Sequence, residues 1–359
     1  MSMVVIGVDP HKRTHTAVAV DEVGRWLGQI TVGADQAGLL RLWMWAARFG
    51  TGSGGGQGCR WAVEDGRALA GRLVRGLIGS GAVVVWVAPK LMARARASAR
   101  TRGKSDPIDA CAVARAALQE PDLPIARLDD TARDLRLLTD RREELVAART
   151  KAISQLRWHL HDLAPEWDAR MRDLTGRRCQ AQLAEVLAAL PVGARQEIAR
   201  EIALDVLADI ARYTLAAQRL EQRIRELVTP IAPTLLGIVG INVLGAAKLI
   251  GEVADVTRFR SSAAFAMHTG TAPIPLWSSN TPRFRLNRGG NRQLNTCIHR
   301  IALIQLIHHP PARAFRDHWI AAHPHATRKA ALRALKRHLC DVIYRALRAD
   351  HQLTHQHLT

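Results

Sequence analysis

The sequence predicts a mixed α/β domain at the N-terminus followed by an all-α remainder. Short β-branched and apolar runs alternate with helical segments over the first part of the chain. Beyond about residue 130 the strand signals stop, and apolar residues recur three and four positions apart instead. The fold class is therefore α/β plus all-α, with the two kinds of structure segregated along the chain.

The first elements follow a definite order. Three strand-like runs joined by polar turns predict an antiparallel meander over VVIGVDP (4–10), HTAVAVDE (15–22) and WLGQITV (26–32). A helix over QAGLLRLWMWAARF and a strand over RWAVEDG follow, and then come a helix, the apolar strand AVVVWVAP (82–89) and a helix over IDACAVARAAL. This is the element order of a ribonuclease-H-like fold, which we expect over residues 1–128.

Four acidic residues stand at the ends and starts of these elements. Asp9 ends the first strand, Glu64 ends the strand after the first helix, and Asp106 and Asp109 open the helix after the apolar strand. In a ribonuclease-H-like fold these four places meet at one edge of the sheet, and carboxylates three apart on a helix project to the same side. Carboxylate oxygens are the ligands of Mg²⁺, and two such ions roughly 4 Å apart serve phosphoryl transfer. We therefore predict a Mg²⁺ site, with room for two ions.

Each acid also has an ordinary structural role. Asp9 precedes a proline in a strand-to-turn position, and Glu64 stands beside Asp65, which is both a turn residue and a competing ligand. Asp106 fits the N-cap of a helix whose first position is Pro107. Singly, these roles account for the residues as well as a metal site does. Jointly they do not, because all four acids fall where one fold places ligands.

The middle segment, residues 129–230, predicts long helices. Its clearest apolar stripe has spacings of four and three and consists of Val206, Ile210, Tyr213, Ala217, Leu220, Ile224 and Leu227. A weaker stripe consists of Leu138, Leu145, Ala152, Leu156, Leu160 and Leu163. We expect an antiparallel helical hairpin with coiled-coil-like packing, and a coiled coil between two copies of the chain is the alternative.

The last segment, residues 231–348, is predicted to be mostly helical. Gly237 and Gly240 punctuate a turn between two helical runs, as in helix–hairpin–helix DNA-binding segments, where backbone amides approach a phosphate. A turn that only permits close packing is the alternative. The remaining residues, 349–359, form a polar tail.

Two adjacent serines lie in a basic part of this segment. Ser278 and Ser279 precede a run of cations that we predict to bind nucleic acid: Arg283, Arg285, Arg288 and Arg292. A serine hydroxyl among such cations is suited to attack a phosphodiester and to carry a covalent phosphoserine. The alternative is that both serines only make turn hydrogen bonds.

The overall charge points to a polyanionic partner. Lys and Arg total 51 against 32 Asp and Glu, which gives a formal net charge of +19. A second basic run that we predict to bind nucleic acid consists of Arg94, Arg96, Arg100, Arg102 and Lys104. No apolar run approaches the roughly 20 residues needed to span a bilayer, so no membrane association is expected. The N-terminus lacks a signal-peptide pattern and the five cysteines form no CxxC pair, so we expect a cytoplasmic protein.

Several motifs together resemble one known family. They are GVDPHK, VEDG, GKSDPIDA, the GIVGI turn followed by DVTRFRSSAAFAMHTGTAPIP, and RLNRGGNRQLN. Over nearly its full length the chain resembles the DEDD transposases of bacterial insertion sequences, a group of bridge-RNA-guided serine recombinases. Any one of these motifs is of modest specificity, whereas GKSDPIDA and RLNRGGNRQLN at this separation form a specific combination.

The resemblance implies a division of labour along the chain. Residues 1–128 would be a RuvC-like domain whose four acids are Asp9, Glu64, Asp106 and Asp109, and the middle would be the coiled-coil segment. Residues 231–348 would be the transposase domain, whose serine links covalently to DNA. The two domains would form a composite active site across a homo-oligomer, a dimer or tetramer. A structured RNA would specify the donor and target DNA in the bacterial cytoplasm, near the nucleoid.

The chain departs from the family at the nucleophile. The family pattern is Ser-Gly, whereas this chain reads WSSNT. Counting from either flank assigns the nucleophile to Ser278, and a slipped register assigns it to Ser279.

These observations predict a Mg²⁺-dependent DNA transposase or recombinase that acts through a phosphoserine intermediate. Two alternatives remain. One is a metal-only RuvC-like nuclease, such as a junction resolvase, in which the serine is structural. The other is a basic nucleic-acid-binding scaffold that has lost its chemistry.

Overall fold

The computed structural model forms two compact units, residues 1–128 and 129–359. Within them it describes residues 3–49, 59–64, 69–97, 105–120, 122–127, 129–171, 173–191, 193, 196–278, 281–323, 325 and 327–356. Among the helices of these ranges, none is long and apolar enough to cross a bilayer.

Unit one is built on a five-stranded sheet. Its strands are β1 (Val4–Pro10), β2 (Thr14–Val20), β3 (Trp26–Gly33), β4 (Cys59–Glu64) and β5 (Val83–Val87). They lie in the order β3-β2-β1-β4-β5, with β1, β2 and β3 antiparallel and β4 and β5 parallel to β1. This order and these directions confirm the mixed α/β, ribonuclease-H-like prediction for the first part of the chain.

Helices cover both faces of the sheet. They are α1 (Gln36–Ala46), α2 (Gly71–Gly79), α3 (Pro89–Ala97) and α4 (Asp106–Gln119). Side chains of β1 alternate between two cores: Ile6 and its even-numbered neighbours pack with α1 and α2, whereas Val5 packs with α4. Since successive strand residues face opposite sides, Gly7 and Asp9 share the face of Val5, on which α4 lies.

Unit two is largely helical. Its helices are α5 (Asp130–Leu163), α6 (Pro165–Arg170), α7 (Arg177–Ala189), α8 (Glu197–Val228), α9 (Pro233–Leu236), α10 (Val243–Val253), α11 (Ser262–His268), α12 (Arg292–His308), α13 (Pro310–Ala322) and α14 (Arg328–Gln356). A hairpin of two strands, β6 (Ile274–Ser278) and β7 (Thr281–Arg285), lies between α11 and α12, within the segment that the sequence predicted to be mostly helical.

The two long helices of unit two, α5 and α8, pack against each other within the chain. Leu135 near the start of α5 shares a core with Ile224 near the end of α8, and Leu156 shares another with Leu207. An ion pair of 3.1 Å joins Arg142 and Glu221 between these two levels. The helices are therefore antiparallel.

The buried face of α8 differs in part from the predicted stripe. Ile210, Ala217 and Ile224 are buried, whereas the other four predicted residues are half-buried. Their places in the core are taken by Ala203, Leu207, Thr214 and Val228. The stripe is displaced because α8 packs against α7 and α10 as well as α5.

The turn before α10 is fixed by packing. Gly240 has φ 89°, a conformation that disfavours a side chain, and a Cβ there would lie 3.2 Å from the carbonyl oxygen of Ile301 in α12. Gln305 of α12 also donates to the carbonyl of Val239. The packing alternative for this turn therefore has direct structural support.

Helix α14 extends through much of the segment predicted as a polar tail. Asp350 is buried there, and its carboxylate accepts hydrogen bonds from the backbone N–H groups of Thr234 (2.8 Å) and Leu235 (3.0 Å). This side chain therefore satisfies donors at the N-terminus of α9, and it ties the end of the chain to the core of unit two.

Candidate active site

The strand register brings two of the predicted acids side by side. β1 and β4 are parallel and pair Val8 with Val63, so the next residues, Asp9 and Glu64, occupy neighbouring positions at the ends of their strands. Asp9 is 7% exposed, and Glu64 is half-buried. Both stand at the carboxyl ends of parallel strands, the edge at which α/β sheets place their sites.

A glycine in β1 lets α4 reach this edge. A Cβ at Gly7 would lie 2.2 Å from the carbonyl oxygen of Ala110 and 2.4 Å from the backbone nitrogen of Ala114. No side chain fits there, so the backbone of α4 lies directly on β1. This contact sets the N-terminus of α4, with Asp106 and Asp109, next to Asp9.

The start of α4 differs from the simplest expectation. Ser105 is extended (φ −154°, ψ 154°), and its carbonyl accepts from Asp109, so Ser105 is the N-cap and Asp106 and Pro107 are the first two helical residues. Asp106 is therefore not the cap. Its exposed carboxylate is not used in capping, whereas that of Asp109 is buried.

A histidine that the sequence did not single out completes the cluster. Nε2 of His11 lies 3.2 Å from Oδ2 of Asp9 and 3.4 Å from Oδ1 of Asp106. One ligand atom from each of these three residues lies within 4.8 Å of the others, a separation that suits a shared metal ion. The sequence signal was GVDPHK itself, in which His11 stands two residues after Asp9 and directly after β1.

Asp109 is held by a cation. Arg96 of α3 donates from its guanidinium to Oδ1 of Asp109 at 2.7 Å. The sequence predicted Arg96 to bind nucleic acid, and the structure gives it this contact with an acid of the cluster. Arg94, one residue before the buried Ala95 of α3, is exposed. Arg100, Arg102 and Lys104 lie outside the described residues.

The charges of neighbouring acids contribute to the pKa shifts of Asp9 and Glu64. Burial raises the pKa of the Asp9 carboxyl above its ordinary value; His11 opposes that shift, and the charges of Asp109 and Asp106 add to it. Burial also raises the pKa of Glu64, and Asp9 and Asp109 add to that shift. Desolvated carboxylates that repel one another are the donor set that a divalent cation stabilises. The residues therefore fit a hard metal ion.

The candidate serine lies in unit two. Ser278 ends β6 and pairs with Thr281 at the tip of the hairpin, whereas Ile274 pairs with Arg285 at its base. Ser279 lies outside the described residues. Arg283 is within β7, opposite Leu276.

The remaining predicted cations share one cavity. Arg285, Arg288 and Arg292 line a space of about 920 Å³ at the base of the hairpin, bounded also by α12, α13 and α14. Gly290 contributes to this wall by packing, because a Cβ there would lie 2.3 Å from the backbone nitrogen of Gly270.

Comparison with protein families matches both units. A model described as Transposase, for the DEDD type of IS110 elements, matches residues 6–165, and one described as Transposase IS116/IS110/IS902 family matches residues 232–317. An uncharacterized 42 kDa protein of insertion element IS900 from Mycobacterium paratuberculosis is 28% identical over 393 residues, covering 97% of this chain and 96% of the relative. An uncharacterized 44.8 kDa protein of insertion element IS116 from Streptomyces clavuligerus is 25% identical over 386 residues, covering 96% and 94%.

Two solved structures are similar over part of the chain. Thermus thermophilus RuvC in complex with a Holliday junction substrate has 17% identity and a TM-score of 0.27, covering 34% of this chain and 99% of that one. A second structure of Thermus thermophilus RuvC has 16% identity and a TM-score of 0.26, covering 34% and 100%.

Proposed function

Because the chain belongs to the DEDD transposase family of the IS110/IS116/IS902 insertion elements, we propose that it cuts and exchanges DNA strands through a covalent phosphoserine. The observation that carries this proposal is the meeting of Asp9, Glu64, Asp106 and Asp109 at one edge of a ribonuclease-H-like sheet. A nucleic-acid-binding protein without catalytic activity would gain nothing from holding mutually repelling carboxylates close together.

The four acids would hold Mg²⁺, and His11 is a further candidate ligand. When bound, such an ion supplies positive charge at the oxygens of the scissile phosphate. Two of the acids are oriented by basic side chains: Asp109 by Arg96 at 2.7 Å, and Asp9 by His11 at 3.2 Å.

Ser278, with Ser279 as the register alternative, is the proposed nucleophile. Its Oγ forms a bond to the phosphorus while one phosphorus–oxygen bond to a deoxyribose breaks. The serine proton leaves to a base, and the released sugar oxygen takes up a proton to become a hydroxyl. Attack by a hydroxyl of the exchanged strand reverses these bonds and frees the serine, so the number of phosphodiester bonds is conserved.

The acids belong to unit one and the serine to unit two, so this chemistry needs both units. Following the family resemblance, we propose that it is completed in a homo-oligomer, a dimer or tetramer. The α5–α8 hairpin, a coiled-coil-like element, is the candidate contact between copies, and the turn at Gly240 is a candidate phosphate contact. A structured RNA from the element would pair with donor and target DNA and select the sites.

An adduct assay tests the proposal. The full chain is mixed with Mg²⁺, RNA transcribed from the DNA flanking its gene, and end-labelled donor and target duplexes, and the products are run on a denaturing gel. We expect a labelled species that migrates slowly and is converted to ordinary DNA lengths by protease. The species should disappear with Asp9→Asn. It should also disappear with Ser278→Ala but persist with Ser279→Ala; if Ser279 is the nucleophile instead, the two serine variants exchange these results.

Two other outcomes would overturn the proposal. Cleavage that persists in the double Ser278→Ala, Ser279→Ala variant, without an adduct, would indicate a metal-only nuclease. Binding of nucleic acid without cleavage, with an affinity that Asp9→Asn does not change, would indicate a nucleic-acid-binding scaffold that has lost its chemistry.

A further inference from the structure

The cavity of unit two is lined by aromatic side chains as well as by cations. We propose that it binds an unstacked nucleotide of a single strand, with its phosphates on the cations of the wall and its base on the aromatic side chains of α13. This inference rests on the proposed function only in taking nucleic acid as the partner.

The charged side chains among the described residues of the cavity wall are all cationic. Helix α14 adds three cations, Arg333, Lys336 and Arg337, to the three arginines of the hairpin and α12. No Asp or Glu is among the described residues that line the cavity. Of the α14 cations, Arg337 forms an ion pair with Asp341, outside the lining. The remaining cations form a concave positive surface suited to a phosphate backbone.

Lys336 is presented to the cavity in a fixed position. Its ammonium donates to Oδ1 of Asn295 at 2.6 Å, and the Asn295 amide donates to the carbonyl of Thr269 at 2.9 Å. The second bond orients the amide so that its oxygen faces the lysine. Burial lowers the pKa of Lys336, and the partner of its ammonium among the described residues is the neutral Asn295 amide. A phosphate in the cavity would supply the anion.

Two aromatic residues of α13 also line the cavity. Phe315 and Trp319 are four apart on α13 and therefore share one face of the helix. Each ring already stacks on a histidine, Phe315 on His338 with centroids 5.1 Å apart and Trp319 on His323 with centroids 4.2 Å apart. A base entering the cavity would extend such a stack. Base–aromatic stacking requires a face that a paired and stacked duplex does not offer.

The size of the cavity supports a single strand. A space of about 920 Å³ lies in the range of pockets for small organic ligands, and it accommodates a nucleotide but not a double helix. At its rim, the turn at Gly270 (φ 71°) packs directly on Gly290. The site is therefore a built recess instead of a flat basic surface.

Fluorescence anisotropy with short labelled oligonucleotides tests the proposal. The full-length chain is titrated in chelator, which prevents cleavage, with single-stranded DNA, single-stranded RNA and duplex DNA of about eight nucleotides or base pairs. We expect Trp319→Leu and Arg333→Gln each to weaken single-strand binding about tenfold, and to change duplex binding little. Trp319→Phe should restore most of the affinity, because a stacking face returns. A tighter complex with RNA than with DNA would identify the strand through its 2′-hydroxyls.

Matched controls are available in the same unit. Trp158→Leu removes a tryptophan that is 76% exposed on α5, and Arg345→Gln removes an exposed arginine of α14; neither should affect single-strand binding. Unchanged melting curves establish that the variants are folded. The Asp9→Asn variant should lose cleavage but bind oligonucleotides as the wild type does. Failure of the proposed catalytic function can therefore be distinguished from failure of the proposed nucleotide site.

Three results would overturn the proposal. One is an equal loss of single-strand and duplex binding in the Trp319→Leu and Arg333→Gln variants, and another is no loss of either. The third is full displacement of the oligonucleotide by millimolar pyrophosphate, about equally in wild type and Trp319→Leu, which would identify an anion site without base recognition.

Discussion

Asp9 is a buried carboxylate with Asp109 and Asp106 in its field, and its ionised form is unfavourable there without a cation. We therefore expect Asp9→Asn to stabilise the chain in chelator, because the neutral amide removes that repulsion. A gain of about 1 kcal/mol would raise Tm by about 2–4 °C. Asp21→Asn is the matched control in unit one, because the side-chain oxygen of Asp21 only accepts turn hydrogen bonds from Val23 and Arg25.

Two further measurements test this interpretation of Asp9. Mg²⁺ should raise the Tm of the wild type more than that of Asp9→Asn. The pKa values of Asp9 and Glu64 are higher folded than unfolded, so the stability from these groups is present below the unfolded pKa and is lost as pH rises through the folded pKa. The advantage of Asp9→Asn in chelator should therefore shrink on acidification from neutral pH to about pH 5. A pH-independent difference would contradict the interpretation.

Arg96 supplies the positive charge beside Asp109 that a bound metal ion would otherwise supply. We expect Arg96→Gln to lower Tm in chelator, because the 2.7 Å ion pair is lost and a buried carboxylate is left without its partner. The same variant should gain more from Mg²⁺ than the wild type, since the ion no longer competes with the guanidinium. Thermal melts across a Mg²⁺ titration measure both effects.

Arg94→Gln is the control for Arg96→Gln, because Arg94 is an exposed neighbour on α3. If both variants respond to Mg²⁺ as the wild type does, Arg96 has no part in the acid cluster.

The acids were predictable at the residue scale, and their partners were not. Asp9, Glu64, Asp106 and Asp109 occupy places that strand order and helix spacing define, so local patterns locate them. His11 joins the cluster through a turn, and Arg96 joins it across thirteen residues that include segment 98–104. Those contacts depend on how α3 and α4 pack, which no local pattern encodes.

At the scale of elements, the contact between β1 and α4 holds the site together. Gly7→Ala would put a Cβ within 2.2–2.4 Å of the α4 backbone, and backbone cannot rotate away as a side chain does. We expect a loss of roughly 1–3 kcal/mol or more, as overpacking costs in cores. Displacement of α4 should also abolish the Mg²⁺-dependent rise in Tm. Chemical denaturation with and without Mg²⁺ measures both losses.

Gly28→Ala tests whether these effects belong to the Gly7 contact or to any glycine of the sheet. A Cβ at Gly28 in β3 would meet two side-chain rings and no backbone: Phe49 at 3.3 Å, which can shift, and Trp45 at 3.7 Å, an ordinary contact distance. The Gly28 variant should keep the Mg²⁺ response. If Gly7→Ala keeps it as well, the placement of α4 does not determine the site.

Two elements escaped prediction for physical reasons. The strands β6 and β7 contain Pro275 and Pro282, which argue against a strand within a sheet, yet in a two-stranded ribbon each strand has a free edge that tolerates proline. In helix α3 only Ala95 is fully buried, and Leu91 and Met92 are partly buried, so its apolar face is too short for a periodicity argument to detect. The sheet of unit one, by contrast, follows from its strongly apolar strands, most of whose residues are buried.

For the whole molecule, the net charge of +19 raises the question of whether nucleic acid responds to total charge or to particular arginines. The acids lie in unit one and the basic cavity in unit two, so a chain that acts on DNA as proposed engages it with both. Arg285 and Arg288 are exposed at the mouth of that cavity. If they contact phosphates of a single strand, each contributes about 0.7 to the slope of log affinity against log salt for single-stranded DNA.

The double variant Arg285→Gln, Arg288→Gln should therefore flatten the salt slope of single-stranded DNA binding by about 1.4. The matched control, Arg141→Gln with Arg223→Gln, removes the same formal charge from exposed arginines already paired with Glu144 and Glu226 on their own helices. It should leave the slope unchanged, because a paired arginine releases no counterion from DNA. Equal flattening in both double variants would mean that DNA responds to the total charge, and the assignment of these arginines to a phosphate-binding surface would fail.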